Sequence, residues 1–597
     1  MPALRPPLLG TRHMVVAGHY LAAHAGFTVL EAGGNAIDAG VAAGIALGVL
    51  QSDLVSIAGV APIIVYLADR NEVQTISGLG TWPRATRPDQ FAAAGAIPIG
   101  VLRTVVPAAP DAWITALDQF GTMSFGEVVA AAIRFASEGF VMYPLMAEII
   151  AANAGGYRRW SENERIYLPT GRPPLPGELF VQADLGRTLQ FMADEEKAGA
   201  GAGRKAGLAA ARAAFYTGDI ATAIVRHQKE NGGLLDAEDM ASFHVAIEPP
   251  VSIDFNGTTV YACGPWCQGP ALLQALKLLD GIDLAALGHN SAGYVHTVIE
   301  ALKLAFADRH HHYGDPRFVD VPIDQLLSAE YAQIRRQLIR ADTAWPELPP
   351  AGDPRSLRAM IGAGSVEDKI SHGAIAASLD TSYACAIDKH GNIFSATPSD
   401  ISSSAPVVPG TGFVPSTRGS QSWTDPNHPS GVAPGKRPRL TPNPALAIRP
   451  GEYAIPFGTP GGDIQIQAMV QAFLNVAVFG MNPQAAVEAP RFATYSFPDS
   501  FEPHTYHPGR MNIEARIDGA VSEQLTALGH KVEPWPDWTL SAPPSALRIK
   551  SWASSRSCRR SSSRTSTISS LGRKTPRRCS TRSSSICGTN SPRRSER

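Results

Sequence analysis

At Ser551 the sequence changes character, and that change confines any folded core to the residues before it. From there the chain is dominated by Ser and Arg, as in Ser554-Ser-Arg-Ser-Cys-Arg-Arg560 and Ser561-Ser-Ser-Arg564, with too little apolar surface to bury. Twelve basic residues against the single acid Glu596 put about +11 on residues 551–597, so the preceding 550 carry about −12 and the formal total of −1 conceals two unlike regions. A Ser/Arg-rich arm can hold the phosphates of RNA or of a membrane surface. The same composition fits an out-of-frame translation that replaces the original C-terminus, and nucleotide sequence separates the two readings. Either way the tail is expected to lack a fold.

The remainder reads as globular, since 44% of the 597 residues are hydrophobic and 18% charged. Its charge gives no reason to expect nucleic acid or a membrane as partner, which leaves a small molecule. The N-terminus, Met1-Pro-Ala-Leu-Arg-Pro-Pro, has no unbroken apolar run before Gly10, and Ala39–Leu50 stops at Gln51 and Asp53, short of a membrane span. A cytoplasmic location is expected, and three cysteines before the tail (Cys263, Cys267 and Cys385) fit a reducing compartment. Cys263-Gly-Pro-Trp-Cys267 is one residue too long for a redox CxxC and lacks a second pair for zinc, so it reads as structural.

Periodicity predicts mixed α and β structure. Ser124-x-x-Glu127 has capping-box spacing and opens a helix over Val128–Phe135. In Ser291–Arg309, Val295, Val298, Ile299, Leu302 and Phe306 recur on one helical face. Ala61–Leu67 and Thr258–Ala262 read as strands, and Ser382–Ile387, a turn at Asp388–Asn392 and Ile393–Thr397 read as a hairpin. Ala198–Ala214 has no clear apolar period and is expected to be an exposed insertion. Ser402–Pro444, dense in Pro, Gly and Ser, is too long for a simple connector and is a candidate active-site wall.

Several of these segments carry a resemblance. Val29-Leu-Glu-Ala-Gly-Gly-Asn-Ala-Ile-Asp-Ala39 is followed in order by Pro83–Arg87, Leu304-Ala-Phe-Ala-Asp-Arg309, the Thr381 hairpin, Lys436-Arg-Pro438 and Pro460-Gly-Gly462. Across residues 14 to 550 this resembles the gamma-glutamyltranspeptidase family of N-terminal-nucleophile hydrolases. The resemblance implies an α+β fold, the four-layer αββα sandwich. It also implies self-cleavage after Asp380 into a large fragment (1–380) and a small one (381–550, with the tail beyond), and amide hydrolysis or acyl transfer without cofactor or metal.

On that resemblance Thr381 is the nucleophile. A threonine hydroxyl needs a base, and cleavage of the Asp380–Thr381 bond would supply one, because the new α-amine sits beside the hydroxyl and can take its proton. No G-x-S-x-G elbow offers an alternative. Gly461 and Gly462 match the family's oxyanion glycines, although an isolated Pro-Gly-Gly is also an ordinary turn. Ser399 matches a second threonine that hydrogen-bonds the nucleophile, yet Pro398-Ser-Asp400 equally suits a turn. Thr441 matches the second of two substrate-site serines, with Leu440 in place of the first.

The departures concern the substrate. The family's arginine for a glutamyl α-carboxylate falls at Gly78, and the acid that grips the α-amine becomes Arg418, in Pro415-Ser-Thr-Arg-Gly-Ser-Gln421. A family asparagine is Ile401, and a glycine-rich run is thinned to Ile57-Ala-Gly-Val-Ala-Pro62. Leaving a buried ammonium or carboxylate unpaired costs on the order of several kcal/mol. A non-glutamyl amide is therefore the expected substrate, with gamma-glutamyl transfer or glutathione hydrolysis the alternative and an unprocessed scaffold a third reading. Arg418 suits a carboxylate-bearing acyl group, or is a surface arginine on a mobile loop. His310-His311-His312 with Asp308 and Asp315 lacks metal-ligand spacing, and Asp308 and Arg309 are expected to make structural hydrogen bonds.

Overall fold

Ser382–Ala396 supplies two inner strands of one sheet and packs against the other. In a computed structural model that describes residues 3–361, 380–539, 545–546 and 549–550, the expected hairpin forms between Ala384–Ile387 and Ile393–Ala396. The segment before Asp380 and the Ser/Arg tail lie outside the described residues, and with them both readings of the tail.

Twelve strands build two antiparallel sheets. In chain order they are β1 (Met14–Ala17), β2 (Ile63–Leu67), β3 (Glu72–Ile76), β4 (Ile247–Glu248), β5 (Val251–Phe255), β6 (Thr258–Ala262), β7 (Ala384–Ile387), β8 (Ile393–Ala396), β9 (Ala445–Arg449), β10 (Tyr453–Gly458), β11 (Ser545–Ala546) and β12 (Ile549–Lys550). The first sheet runs β1-β7-β8-β2-β3-β4 and the second β11-β10-β9-β6-β5, with β12 also on β10. Side-chain alternation divides the hairpin between two layers. Ala384, Ala386 and Phe394 join the core under the first helical layer, whereas Cys385, Ile387 and Ile393 meet Leu446 and Ala454 between the sheets.

Helices close both outer faces. Over the first sheet lie α1 (Tyr20–Glu31), α2 (Ala36–Leu50), α3 (Phe125–Glu138), α4 (Ala183–Gly199) and α5 (Arg204–Tyr216); over the second lie α6 (Gly269–Leu279), α7 (Ala292–His312) and α8 (Ile464–Ala477). This is the expected αββα sandwich. No described helix is long and apolar enough to cross a membrane.

The opening signature serves as a clamp. Asn35 and Asp38 form a capping box for α2, and Asp38 also accepts from the N–H groups of Thr122 and Met123 at 2.8 and 3.1 Å. Every residue of α2 is buried. Gly40 lies so close to the hairpin that a Cβ there would stand 2.0 Å from the Phe394 ring. From the other side, Asp388 Oδ2 accepts the Ala36 N–H at 3.1 Å and ties the hairpin turn to the start of α2.

One expectation fails. Ala198–Ala214 is not an exposed insertion, because α5 buries Leu208, Ala211 and Phe215 against α4. Its inward face is made partly of Gly207, Ala211 and Ala214, residues too small to register as an apolar stripe. Ser402–Pro444, by contrast, is irregular and largely buried, with one short 3-10 turn at Arg418–Gln421. Its backbone is met by side chains: Asn163 Nδ2 donates to the carbonyls of Ser402 and Ala405 at 2.9 Å, and its Oδ1 accepts from Val407 N–H at 2.8 Å.

Candidate active site

The entry to β7 is strained. Thr381 is completely buried with φ at 81°, a region that a β-branched residue occupies only at a cost of about 1–3 kcal/mol. Three hydrogen bonds hold the flanking backbone. Thr381 N–H donates to Leu54 O at 3.2 Å, Ser382 N–H to Pro398 O at 2.9 Å, and Gly461 N–H to the Asp380 carbonyl at 3.3 Å. The last of these points at the peptide bond that joins Asp380 to Thr381.

Around the hydroxyl the sequence-predicted residues converge. Thr381 Oγ1 lies 2.6 Å from Ser399 Oγ, so Ser399 is a neighbour of the Thr381 hydroxyl and not merely a turn residue. Ser399 Oγ donates to Asp380 Oδ2 at 3.3 Å, which leaves it to accept from Thr381 and forms a proton path between hydroxyl and carboxylate. Val60 pairs with Ser399 through their backbones, and a Cβ on Gly59 would stand 2.2 Å from Ser399 O, so the run Ile57–Pro62 fixes this side of the site.

Gly461 (φ 110°) and Gly462 (φ 55°) both adopt backbone that favours glycine, and it is Gly461 that reaches the Asp380 carbonyl. The turn is anchored from α7. Arg309 pairs with Asp463, which also accepts Ser500 Oγ at 2.7 Å, while Gln268 Nε2 donates to Gly462 O at 3.0 Å and Thr441 O at 2.9 Å. Thr441 itself is buried with its hydroxyl accepting from Gln421 Nε2 at 2.7 Å, so it braces the wall of the site and is not bonded to Thr381.

Arg418 is not a surface residue; only 1% of it is exposed. Its Nη2 lies 2.7 Å from Asp380 Oδ2 and contacts Ser399 Oγ, and its Nε lies 3.3 Å from Asp400 Oδ1. Asp400, held at φ 110°, accepts from Ser416 Oγ at 2.8 Å and from Thr417 N–H at 3.1 Å. Burial raises its pKa above the usual carboxylate range, and the Arg418 charge opposes that rise.

Sequence reasoning overlooked several participants. Gln465 Nε2 donates to Thr381 Oγ1 at 3.4 Å from the first turn of α8, and Leu54 contributes only a backbone carbonyl that no motif could announce. Asp400 adjoins Ser399 in sequence, and that position could have drawn notice to it as a second carboxylate for Arg418. Two more acids lie close by. Asp53, adjoining Leu54, and Asp499, beside Asp463, are both pushed up to about 7 by burial, Asp499 with a further push from the Asp463 charge. The histidine triplet disperses: His310 stacks edge-on against Trp423, and His312 Nε2 meets Gly352 O at 2.9 Å. Asp308 binds Arg335, Gln274 and Tyr331, as its structural reading required.

The gamma-glutamyltranspeptidase family model matches residues 22–551, nearly the whole described chain. The chain belongs to the gamma-glutamyltranspeptidase family. Within that family it is 32% identical to the Acylase ACY 1 proenzyme of Pseudomonas sp. (strain SE83), over 88% of each chain. Among solved structures it resembles LmbA2991HD at 37% identity and a TM-score of 0.83, covering 92% of this chain and 96% of that one. The cephalosporin acylase from Bacillus halodurans follows at 28% identity and a TM-score of 0.78, over 92% and 95% of the two chains. Membership makes this protein an enzyme of amide-bond hydrolysis or transfer, built on the N-terminal-nucleophile fold.

Proposed function

We propose that this chain cleaves itself between Asp380 and Thr381 and that the freed Thr381 then hydrolyses a carboxylate-bearing amide through an acyl-enzyme. The observation that carries this reading is the Gly461 N–H on the Asp380 carbonyl, 3.3 Å away, beside a Thr381 held at φ 81°. A donor at that oxygen stabilises the charge that develops when Thr381 Oγ1 adds to the carbonyl carbon. The hydroxyl proton passes through Ser399 toward Asp380 Oδ2 and is returned to the Thr381 nitrogen as the C–N bond breaks, and water hydrolyses the resulting ester to the Asp380 carboxylate and the Thr381 hydroxyl. The strain at Thr381 is released in the same step.

Cleavage turns the Thr381 amide into an amine. Leu54 O, which receives its N–H at 3.2 Å, fixes that amine so that its lone pair can accept the proton of its own hydroxyl. The same Gly461 N–H then serves the substrate carbonyl. Against glutamyl transfer stands Gly78, where a Cβ would lie 1.9 Å from Ala61 O, so no side chain can grip an α-carboxylate from there. The buried guanidinium of Arg418 repels an α-ammonium and favours an acid.

Denaturing electrophoresis and mass spectrometry of the purified protein test the reading. Two fragments, the smaller beginning at Thr381, are expected, and Thr381→Ala should stay as one chain without amide turnover. An intact bond in active protein, or turnover by Thr381→Ala, refutes it.

A further inference from the structure

Asp380 occupies both ends of the site at once, and its length is therefore informative. Its main-chain carbonyl accepts from Gly461 N–H at 3.3 Å while its side-chain Oδ2 lies 2.7 Å from Arg418 Nη2. Between the carbonyl carbon and the carboxylate carbon of an aspartyl residue stand two carbons, Cα and Cβ. We infer that the acyl group this enzyme takes is of the succinyl type, a four-carbon dicarboxylic half-amide, because the chain's own aspartyl group bridges the oxyanion donor and the guanidinium with that spacing.

The spacing is meaningful only if neither end can move, and both are buried and braced. Arg418 is pinned by Asp400, which is in turn held by Ser416 and Thr417, and its guanidinium lies 5.4 Å from the Phe501 ring. Gly461 is fixed by the Arg309–Asp463 anchor of its turn. Three buried polar atoms at the junction make no hydrogen bond, Arg418 Nε and Nη1 and Asp380 Oδ1, so the guanidinium retains donors for a carboxylate that sits more squarely than a chain-tethered one can. Withdrawal of Asp380 after cleavage would leave Arg418 facing Asp400 alone, short of one carboxylate.

A malonyl group is one carbon too short to reach both points, and a glutaryl or gamma-glutamyl group has one carbon too many. The reaction balances as R–NH–CO–CH2CH2–COO⁻ plus water giving R–NH3⁺ and succinate. Thr381 Oγ1 forms an ester as the C–N bond breaks, the amine leaves with the proton taken from the hydroxyl, and water then releases the acid.

The inference rests on Thr381 being the nucleophile, and the test keeps the two apart. Processed wild-type protein is assayed on 4-nitroanilides of malonate, succinate, glutarate, adipate and neutral butyrate, with free succinate and glutarate as competitors. Expected are a kcat/KM for succinyl about tenfold above malonyl and glutaryl and about a hundredfold above butyryl, with succinate the stronger competitor. Arg418→Lys should flatten the preference for length, and mass spectrometry reports its processing independently. A glutaryl optimum, a butyryl rate equal to the succinyl rate, or processed protein inert to the whole series overturns the inference and leaves self-cleavage standing. Failure to find Thr381 at an N-terminus overturns the broader reading instead.

Discussion

At the scale of single residues the site is a set of buried groups held in unusual states. Asp53 is the simplest to test. Its pKa of about 7 against an ordinary 3.8 means that the folded protein holds the proton more tightly than the unfolded chain. Its contribution is therefore neutral below about pH 4, grows unfavourable as pH rises toward 7, and is constant above that. The full penalty is about 4 kcal/mol at most, from three pKa units. Melting midpoints of Asp53→Asn measured from pH 4 to 8 should fall less steeply than those of the wild type, and parallel curves would contradict the assignment. Residues of this kind are poorly legible in sequence. Thr381, Ser399 and Gly461 could be placed because motifs flank them, whereas Asp53 and Leu54 act through burial and a carbonyl, which only the fold creates.

Among the elements, the contact of α2 with the β7–β8 hairpin decides where Thr381 stands. A methyl on Gly40 would lie 2.0 Å from the Phe394 ring, and overpacking of this kind costs typically 1–3 kcal/mol, or about that here. Gly40→Ala should lower the melting midpoint and slow self-cleavage together, since the hairpin directly follows the proposed scissile bond; a slower cleavage at unchanged stability would place the effect elsewhere. Capping at Ser124 and the apolar face of α7 were readable because Ser, Glu and large aliphatic residues leave periodic marks. The α5 helix was not, because Gly207 and Ala211 let helices approach closely without leaving such a mark. The buried loop Ser402–Pro444 was recognisable as unusual, but the inward placement of Arg418 depends on Asp380 and Asp400, partners separated from it by 38 and 18 positions.

For the whole molecule the decisive fact is that the proposed site of cleavage does not divide the sheets. β7 and β8 lie between β1 and β2 in one sheet, and β9 pairs with β6 in the other, so each sheet joins strands from both sides of Thr381. Gel filtration of the processed protein should therefore give one peak containing both fragments, separable only in denaturant, and dissociation under native conditions would contradict this topology. A further consequence concerns reversibility. The intact chain finds its shape in a first-order process, whereas the cut protein, once denatured, must bring two molecules together, so its recovery depends on concentration and competes with aggregation of exposed strand edges. One hydrolysed peptide bond would thus convert a refoldable protein into one whose lifetime is set by how slowly it unfolds.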